Sequence, residues 1–173
     1  MQLTPETLAG HDGPYDAPLE FRGFKARPEW IDYNGHMNVA YYVMAIDKAL
    51  DHAFDALGIG IALVETHKMG PMALVNQIHY LDELLEGQHY YCEFQILDGD
   101  HKRIHLFVTM HHVEKGTVAA TYESLSMNVD LEARKSAAYP DDVQKRVDAL
   151  RDAHAGLPVP PQAGASIGIR RKG

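Results

Sequence analysis

Apolar residues recur with two different periods along the chain. From Val39 to Leu57 they lie one, three or four residues apart, which is the spacing of a helix with a wide buried stripe. Gly58 follows that stripe and predicts the end of the helix. A shorter helix is predicted from Asp141 to His154.

After the long helix the period changes to two, which indicates strands whose two faces differ. Glycine-bearing connections between the alternating runs are typical of turns that join antiparallel neighbours. An aromatic-rich segment from Phe21 to Trp30 predicts a further strand before the helix. The pattern therefore predicts an α+β fold in which one strand and one long helix precede an antiparallel meander. The alternating runs are residues 90–97, 104–111 and 124–131.

Proline and glycine concentrate near both ends and divide the chain into three parts. We expect residues 1–18 to form a flexible arm, residues 19–155 the folded domain and residues 156–173 a tail. One long helix can cover only one face of a sheet of about five or six strands. Apolar residues on the other face, such as Tyr91 and Phe107, therefore predict a homodimer or a dimer of dimers.

Charge and cysteine content exclude several classes of protein. Sixteen basic and twenty-four acidic residues give a net charge of −8, which argues against nucleic acid or an anionic membrane surface as a partner. The longest uncharged run near the N-terminus, residues 33–46, is too short to span a membrane. A lone cysteine, Cys92, and an N-terminus without a basic, apolar signal stretch predict the cytoplasm.

The eleven histidines do not form a metal-binding pattern. His101 and His105 are spaced for chelation on a helix, but four residues along a strand separate them by about 13 Å. The sequence also lacks a Gly-x-Ser-x-Gly nucleophile motif, a Gly-x-Gly-x-x-Gly loop and a phosphate-loop lysine. We therefore expect neither a metal nor a bound cofactor.

The densest polar cluster, residues 30–38, lies between the first strand and the long helix. A carboxylate delivered beside the free amides of a helix N-terminus combines a nucleophile or base with an anion-stabilising dipole, which suits acyl transfer. Aspartate, asparagine and glycine are also the residues that an ordinary tight turn and helix cap use. The composition of the loop alone leaves both interpretations open.

The segment from Asp32 to Tyr42 resembles the D-x-x-G-H-x-N-x-x-x-Y pattern of the 4-hydroxybenzoyl-CoA thioesterase-like acyl-CoA thioesterases. The resemblance covers roughly residues 20 to 137. It implies a hotdog fold, in which an antiparallel sheet of five or six strands wraps one long helix. It also implies hydrolysis of an acyl-CoA thioester without a metal or cofactor.

The resemblance assigns roles to the loop residue by residue. Asp32 takes the position of the catalytic carboxylate, and Val39 the position whose backbone amide polarises the thioester carbonyl. His36 and Asn38 would order the loop or contact substrate. Many relatives carry a second asparagine at the position of Val39 and a glutamate at the position of Asp47, so the role of Asp47 stays open.

Two alternatives belong to other classes. A hotdog hydratase or dehydratase would use a histidine such as His36 with an acidic residue on a β-hydroxyacyl chain. A non-catalytic acyl-CoA-binding module would keep the fold without the chemistry. The Asp-x-x-Gly-His order favours the thioesterase.

In a protein of net charge −8, the phosphates of CoA require local cations. The candidates are two basic pairs and a basic tail at 170–172, and ordinary solvated surface is the alternative interpretation. The two pairs are Lys102 with Arg103 and Arg134 with Lys135.

Four aromatic residues crowd the loop and the start of the helix, with Asp47 farther along. Aromatic faces near a carboxylate can hold a quaternary ammonium group, although rings at helical spacing also pack a helix against a sheet. The sequence of the loop, residues 30–38, resembles that of thioesterase domains associated with carnitine breakdown, and this resemblance implies a preference for betainyl-CoA. The four aromatic residues are Trp30, Tyr33, Tyr41 and Tyr42.

Overall fold

The computed structural model describes residues 9–169. Within them every strand pairing is antiparallel, and the sheet order is β1-β3-β4-β5-β2, with the short β6 beside β5. The helices are α1 (Val39–Leu57), α2 (Ile61–His67) and α3 (Asp141–His154). The strands are β1 (Leu19–Lys25), β2 (Met69–Tyr80), β3 (His89–Gly99), β4 (Arg103–His112), β5 (Thr117–Asp130) and β6 (Lys135–Ser136).

The sheet curls around α1, and the core lies between them. Ala45, Ala49 and Ala53 recur every four residues on the buried side of α1, so the helix can approach the sheet closely there. The opposing face of the sheet supplies Phe94, Leu106 and similar apolar side chains to the same cluster. This arrangement of one long helix inside an antiparallel sheet is the fold that the sequence predicts.

The limits of both predicted helices are confirmed, and Gly58 ends α1 in the left-handed conformation, with φ +72°. The prediction that the first strand continues to Trp30 is wrong. It ends at Lys25, and Pro28 begins a 3-10 turn through Trp30, because proline has no N–H to donate to a neighbouring strand. β5 begins at Thr117, seven residues before the predicted start at Ser124.

Three elements lie outside every sequence prediction, namely α2, β2 and the two-residue β6. β2 is an edge strand that begins Met69-Gly70-Pro71 and contains a register shift between Ala73 and Val75. Because most of its central side chains are exposed, it carries no alternation of apolar and polar residues.

Part of the outer face of the sheet is covered by the chain itself, which corrects the basis on which a homodimer is predicted. Phe107 is 1% exposed and lies between Gln95 and Glu123 in the strand register. The Gln95 side chain donates to the Pro158 carbonyl, and Glu123 accepts from the Gly164 N–H at 2.8 Å. The C-terminal segment therefore crosses this row of residues.

Tyr91, the other residue of that argument, is also covered within one chain. Its ring stacks on His111 with centroids 4.5 Å apart, and the Arg22 guanidinium lies 4.1 Å from its centroid. Neither Tyr91 nor Phe107 therefore requires a second copy. The described part of the predicted N-terminal arm is held in place too, since Asp12 pairs with Arg146 at 3.0 Å and Tyr15 packs on the core.

Candidate active site

The loop between β1 and α1 is a tight, internally bonded turn. The Asp32 N–H donates to the His36 carbonyl at 3.0 Å, and the Gly35 N–H donates to the Asp32 carbonyl at 2.9 Å. Gly35 has φ +83°, a conformation that a residue with a side chain adopts at a cost. The Met37 N–H donates to the Leu84 carbonyl and ties the turn to the segment before β3.

The Asp32 carboxylate is held by two donors and remains partly exposed. Its Oδ1 accepts from the Asn34 N–H at 2.8 Å, and its Oδ2 accepts from the Asn38 side-chain amide at 3.3 Å. Both donors fix the orientation of the carboxylate. An oriented and accessible carboxylate is able to act as a nucleophile or as a base.

Val39 begins α1, and Asn38 caps it. The Asn38 Oδ1 accepts from the Ala40 N–H at 3.0 Å, so the cap is taken up by the second amide of the helix. The first amide, Val39 N–H, has no acceptor inside the helix and none among residues 9–169 outside it. It is therefore free to donate to a ligand at the positive end of the helix dipole.

His36 lies beside the carboxylate loop and is partly buried. Its Nδ1 lies 3.2 Å from the Met37 carbonyl, which orients the ring through a donated hydrogen bond and leaves Nε2 for another partner. Among residues 9–169 no three His, Cys, Asp or Glu side chains are grouped to hold a metal ion.

The four predicted aromatic residues are not gathered around one opening. Trp30 and Tyr41 stack on each other with centroids 5.9 Å apart, and Arg27 lies 5.4 Å from the Trp30 ring centroid. The buried Tyr42 hydroxyl accepts from the Leu84 N–H at 2.9 Å. Tyr33, by contrast, is 96% exposed. Trp30, Tyr41 and Tyr42 thus pack and brace the helix, and their contact with substrate stays a prediction.

Tyr80 is an aromatic residue near the site that the sequence analysis missed. It ends β2, its hydroxyl donates to the Val39 carbonyl at 3.3 Å, and its ring meets Tyr42 edge-on at 5.3 Å. The contact joins residues 41 positions apart, so no local pattern reveals it. The ring remains 44% exposed beside the free amide of Val39.

The acidic candidate Asp47 shares an exposed flank of α1 with Val39 and Val43. Eight residues separate it from Val39, which is about 12 Å along the helix axis. Within one chain Asp47 can thus act on a small acyl group only as a distant charge.

The four predicted phosphate-binding residues lie at the other end of the sheet. Arg103 faces Met127 in the register, whereas Tyr80 faces Ala120, and these positions on β5 are about 24 Å apart along the strand. Arg103 is also paired with Asp100, whose pKa the Arg103 side-chain hydrogen bond helps to lower to about 2 against the opposing effect of burial. Arg134 and Lys135 follow β5 and are exposed. The basic tail at 170–172 lies outside the described residues.

Comparison with known families places most of the chain in one of them. The model of the thioesterase-like superfamily matches residues 26–147. A betainyl-CoA thioesterase from Pseudomonas aeruginosa is 32% identical over 142 residues, which are 82% of this chain and 89% of that protein.

An L-carnitine dehydrogenase/betainyl-CoA thioesterase from Rhizobium meliloti is 34% identical over 155 residues, or 89% of this chain. The chain spans about a third of the length of that relative, 31%.

Solved structures agree with the fold. A hypothetical protein from Staphylococcus aureus, solved in complex with CoA, has a TM-score of 0.82 and 26% identity over 91% of this chain and all of its own. A putative thioesterase from Pseudomonas putida has a TM-score of 0.77, also at 26% identity and the same coverage. The predicted hotdog fold is confirmed. No helix among residues 9–169 is long and apolar enough to cross a membrane. By sequence and by fold, this chain belongs to the thioesterase-like superfamily.

Proposed function

We propose that this protein hydrolyses an acyl-CoA thioester to a free acid and CoA. The observation that carries the proposal is the double role of Asn38. Its side chain orients the Asp32 carboxylate, and because it caps the helix through the Ala40 N–H, it leaves the Val39 amide free. A thioester carbonyl that accepts from Val39 would develop its negative charge at the positive end of α1.

The carboxylate has two routes to the products. Asp32 attacks the carbonyl carbon, expels the CoA thiolate and forms an anhydride that water then cleaves, or it takes a proton from a water molecule that attacks directly. In both routes the Val39 amide stabilises the oxyanion, and a proton from water ends on the CoA sulfur.

We further propose that the active form is a homodimer joined at β2. β2 is an edge strand with one side unpaired, and Met72, Leu74 and Val75 on it are about half exposed. Val39 and Val43 expose an apolar flank of α1 beside it. A second copy paired antiparallel along β2 would cover both surfaces and close the open edge. Pairing of such dimers into a dimer of dimers is an extension of this proposal.

An antiparallel dimer would also explain the position of the basic residues. The end of β2 that carries Tyr80 would lie beside the Met69 end of the partner's β2. This pairing would then bring the basic residues of the partner to the opening of the site beside Val39. They are the partner's Arg134, the partner's Lys135, the partner's Lys102 and the partner's Arg103. The CoA phosphates would be bound by the subunit opposite the one that supplies Asp32.

For the acyl group we propose the betainyl group, with its trimethylammonium head. Relatives named betainyl-CoA thioesterase align over more than four fifths of this chain, which supports that substrate. The Tyr80 ring is exposed beside Val39, and a cation on an aromatic face is stabilised by about 0.5 to 2 kcal/mol. The Trp30 face is occupied by Arg27, so it contributes only if that side chain moves.

We propose the cytoplasm as the compartment of the protein, since the only cysteine, Cys92, is a free thiol.

CoA release measured with a thiol reagent tests the function directly. Burial raises the pKa of the Cys92 thiol, so the folded enzyme adds no reactive thiol to the assay. The panel is betainyl-, butyryl- and isovaleryl-CoA, with the Asp32→Asn variant as the control. We expect betainyl-CoA to give the highest kcat/KM.

Values equal within a few-fold for charged and neutral substrates would remove the betainyl proposal and leave a general short-chain thioesterase. Absence of thiol release from every substrate would exclude the proposed thioesterase activity. Conversion of a β-hydroxyacyl-CoA without thiol release would favour a hydratase or dehydratase instead.

A further inference from the structure

A cavity of about 420 Å³ lies between β1 and α1, on the side of the helix away from Val39. Lys48 lines it, and Lys48 follows Val39 by nine residues, about two and a half turns of helix. The lining among the described residues includes none of Asp32, His36 or Val39. This cavity is therefore separate from the candidate active site.

The walls of the cavity are aromatic and preformed. Phe24 and Tyr90 stack with centroids 5.3 Å apart and an interplanar angle of 16°, and Trp30 also lines the cavity. Gly23, with φ +90°, accompanies a register shift that brings Phe24 opposite Tyr90. The Ala26 N–H donates to the Gln88 carbonyl, and the Gly87 N–H donates to the Ala26 carbonyl, so both walls are tied together.

Three cationic side chains line the same cavity against one carboxylate. They are Lys25, Arg27 and Lys48, and the carboxylate is Glu86. Within residues 9–169 no carboxylate lies within 4.0 Å of Lys25 or Lys48, and Arg27 reaches Glu29 only at 3.8 Å with both side chains exposed. The protein as a whole has a net charge of −8, so the positive charge of the cavity is a local feature that would attract an anion.

We propose that this cavity binds a planar organic anion, a ring that carries phosphate or carboxylate groups. The ring edges that line the cavity would contact the ligand's ring edge-to-face, since their own faces are already stacked within the protein, and the lysines would bind the anionic groups. The volume lies in the range of small-molecule sites. Two sources offer this chemistry: the nucleotide end of a bound CoA, for which this cavity would then replace the two basic pairs as the phosphate site, and a separate small molecule. The site itself requires no hydrolysis, and only the first source rests on the proposed function.

Trp30 is the only tryptophan of the chain and lines the cavity, so its fluorescence reports on binding there. The probe is adenosine 3′,5′-diphosphate, titrated while the emission of Trp30 is recorded and confirmed by calorimetry. Lys48→Glu is the test variant. Lys145→Glu is the matched control, because Lys145 is also an exposed lysine within a helix.

We expect Lys48→Glu to weaken probe binding at least about tenfold, since a charge-assisted contact is lost and replaced by repulsion. Lys145→Glu should bind as the wild type does, and Lys25→Glu should reproduce the loss. Equal probe affinity in the Lys48 and Lys145 variants, or no binding to the wild type by calorimetry, would overturn the proposal.

Two substrates distinguish the sources of the anion. An acyl-CoA and the N-acetylcysteamine thioester of the same acyl group differ in the nucleotide end. If the cavity takes the end of CoA, Lys48→Glu raises KM for the acyl-CoA several-fold and leaves KM for the truncated thioester unchanged. If the occupant is a separate molecule, KM for both substrates stays unchanged while probe binding is lost.

Discussion

At the scale of single residues, Asn38 connects the two parts of the candidate site. One side chain caps α1 through its oxygen and holds Asp32 through its nitrogen, so the helix start and the carboxylate form one rigid unit. The motif made Asp32, His36, Asn38 and Val39 predictable because all four lie within eight residues of sequence. Tyr80 was not predictable, because its contact with Val39 forms only after β2 has paired with β5.

Asp32→Asn should keep the fold and remove most of the turnover. The amide oxygen can still accept from the Asn34 N–H, but it is a poor nucleophile and no base near neutral pH. A loss of about 100-fold or more in kcat is expected from removal of a general base. Asp98→Asn is the matched control, since Asp98 also accepts from a backbone N–H, that of Gly99, at the end of β3 and away from the site. Near-normal turnover by Asp32→Asn would show that another group carries the reaction.

Val39→Pro tests the amide rather than the side chain. Proline is favoured at the first position of a helix, and Asn38, with φ −67° and ψ 146°, already has the conformation that precedes a proline. The variant therefore keeps α1 and removes only the donor to the oxyanion. We expect kcat to fall about 10²- to 10³-fold, as for the loss of an oxyanion-hole donor. Val39→Ala, which keeps the amide, should retain the rate; equal rates in the two variants would contradict the assignment.

At the scale of elements, predictability followed the contrast between buried and exposed positions. α1 and α3 each bury one stripe, and their limits were read from the sequence; β3 and β4 alternate cleanly and were found to within two residues at either end. β2 was missed because an exposed edge leaves no alternation, and β1 was extended too far because its aromatics continue past Pro28 into a 3-10 turn. A strand is recognisable when the chain itself buries one of its faces.

His154, at the end of α3, joins three elements through its neutral ring. Its Nδ1 accepts from the Ile96 N–H of β3 at 3.0 Å, and its Nε2–H donates to the Asp16 carbonyl at 2.9 Å. Burial lowers the pKa of His154 below its ordinary value of 6.5, against the opposing effect of the Asp16 carbonyl. Below that value the unfolded chain takes up a proton that the folded protein resists, so this contribution to stability is complete at higher pH and is lost as the pH falls.

The free energy of unfolding should therefore decrease as the pH falls from about 7.5 to 5, and His154→Gln should reduce that slope. Glutamine offers one acceptor and one donor without a titrating group. Urea unfolding at several pH values measures the difference between the two proteins. His67→Gln is the control, because His67 is exposed and should leave the slope unchanged. An identical slope in wild type and His154→Gln would refute the role of the ring.

At the scale of the whole molecule, the single chain covers part of its outer face and leaves the β2 edge open. The sequence led to a second copy through Tyr91 and Phe107, but the chain covers both with Arg22 and its own C-terminal segment. The tail is held across the sheet by isolated hydrogen bonds, one donated by Gln95 and one accepted by Glu123, and such bonds leave no periodic pattern in the sequence. Exposed apolar residues on β2 and on the flank of α1 locate the proposed interface at a different surface.

Mixing two variants with different defects tests whether one site uses two subunits. Asp32→Asn lacks the carboxylate, and Arg134→Glu with Lys135→Glu should raise KM by removing phosphate contacts. In a mixed dimer with shared sites, one of the two sites has an intact Asp32 from one chain and intact cations from the other. Refolding an equal mixture makes half of the dimers mixed, so about a quarter of all sites should regain wild-type kcat/KM.

Phosphate contacts made within one subunit predict a different result for that mixture. The chain that keeps Asp32 would always carry the two glutamates, so the activity at low substrate would equal the sum of the separate variants. Wild type refolded with Asp32→Asn calibrates the recovery of active sites, because half of its sites keep Asp32 whether or not the dimers are mixed, and sedimentation confirms that dimers form. A gain above the sum therefore requires that the CoA phosphates and the catalytic carboxylate belong to different chains, which the 24 Å along β5 between the Tyr80 and Arg103 positions leads us to expect.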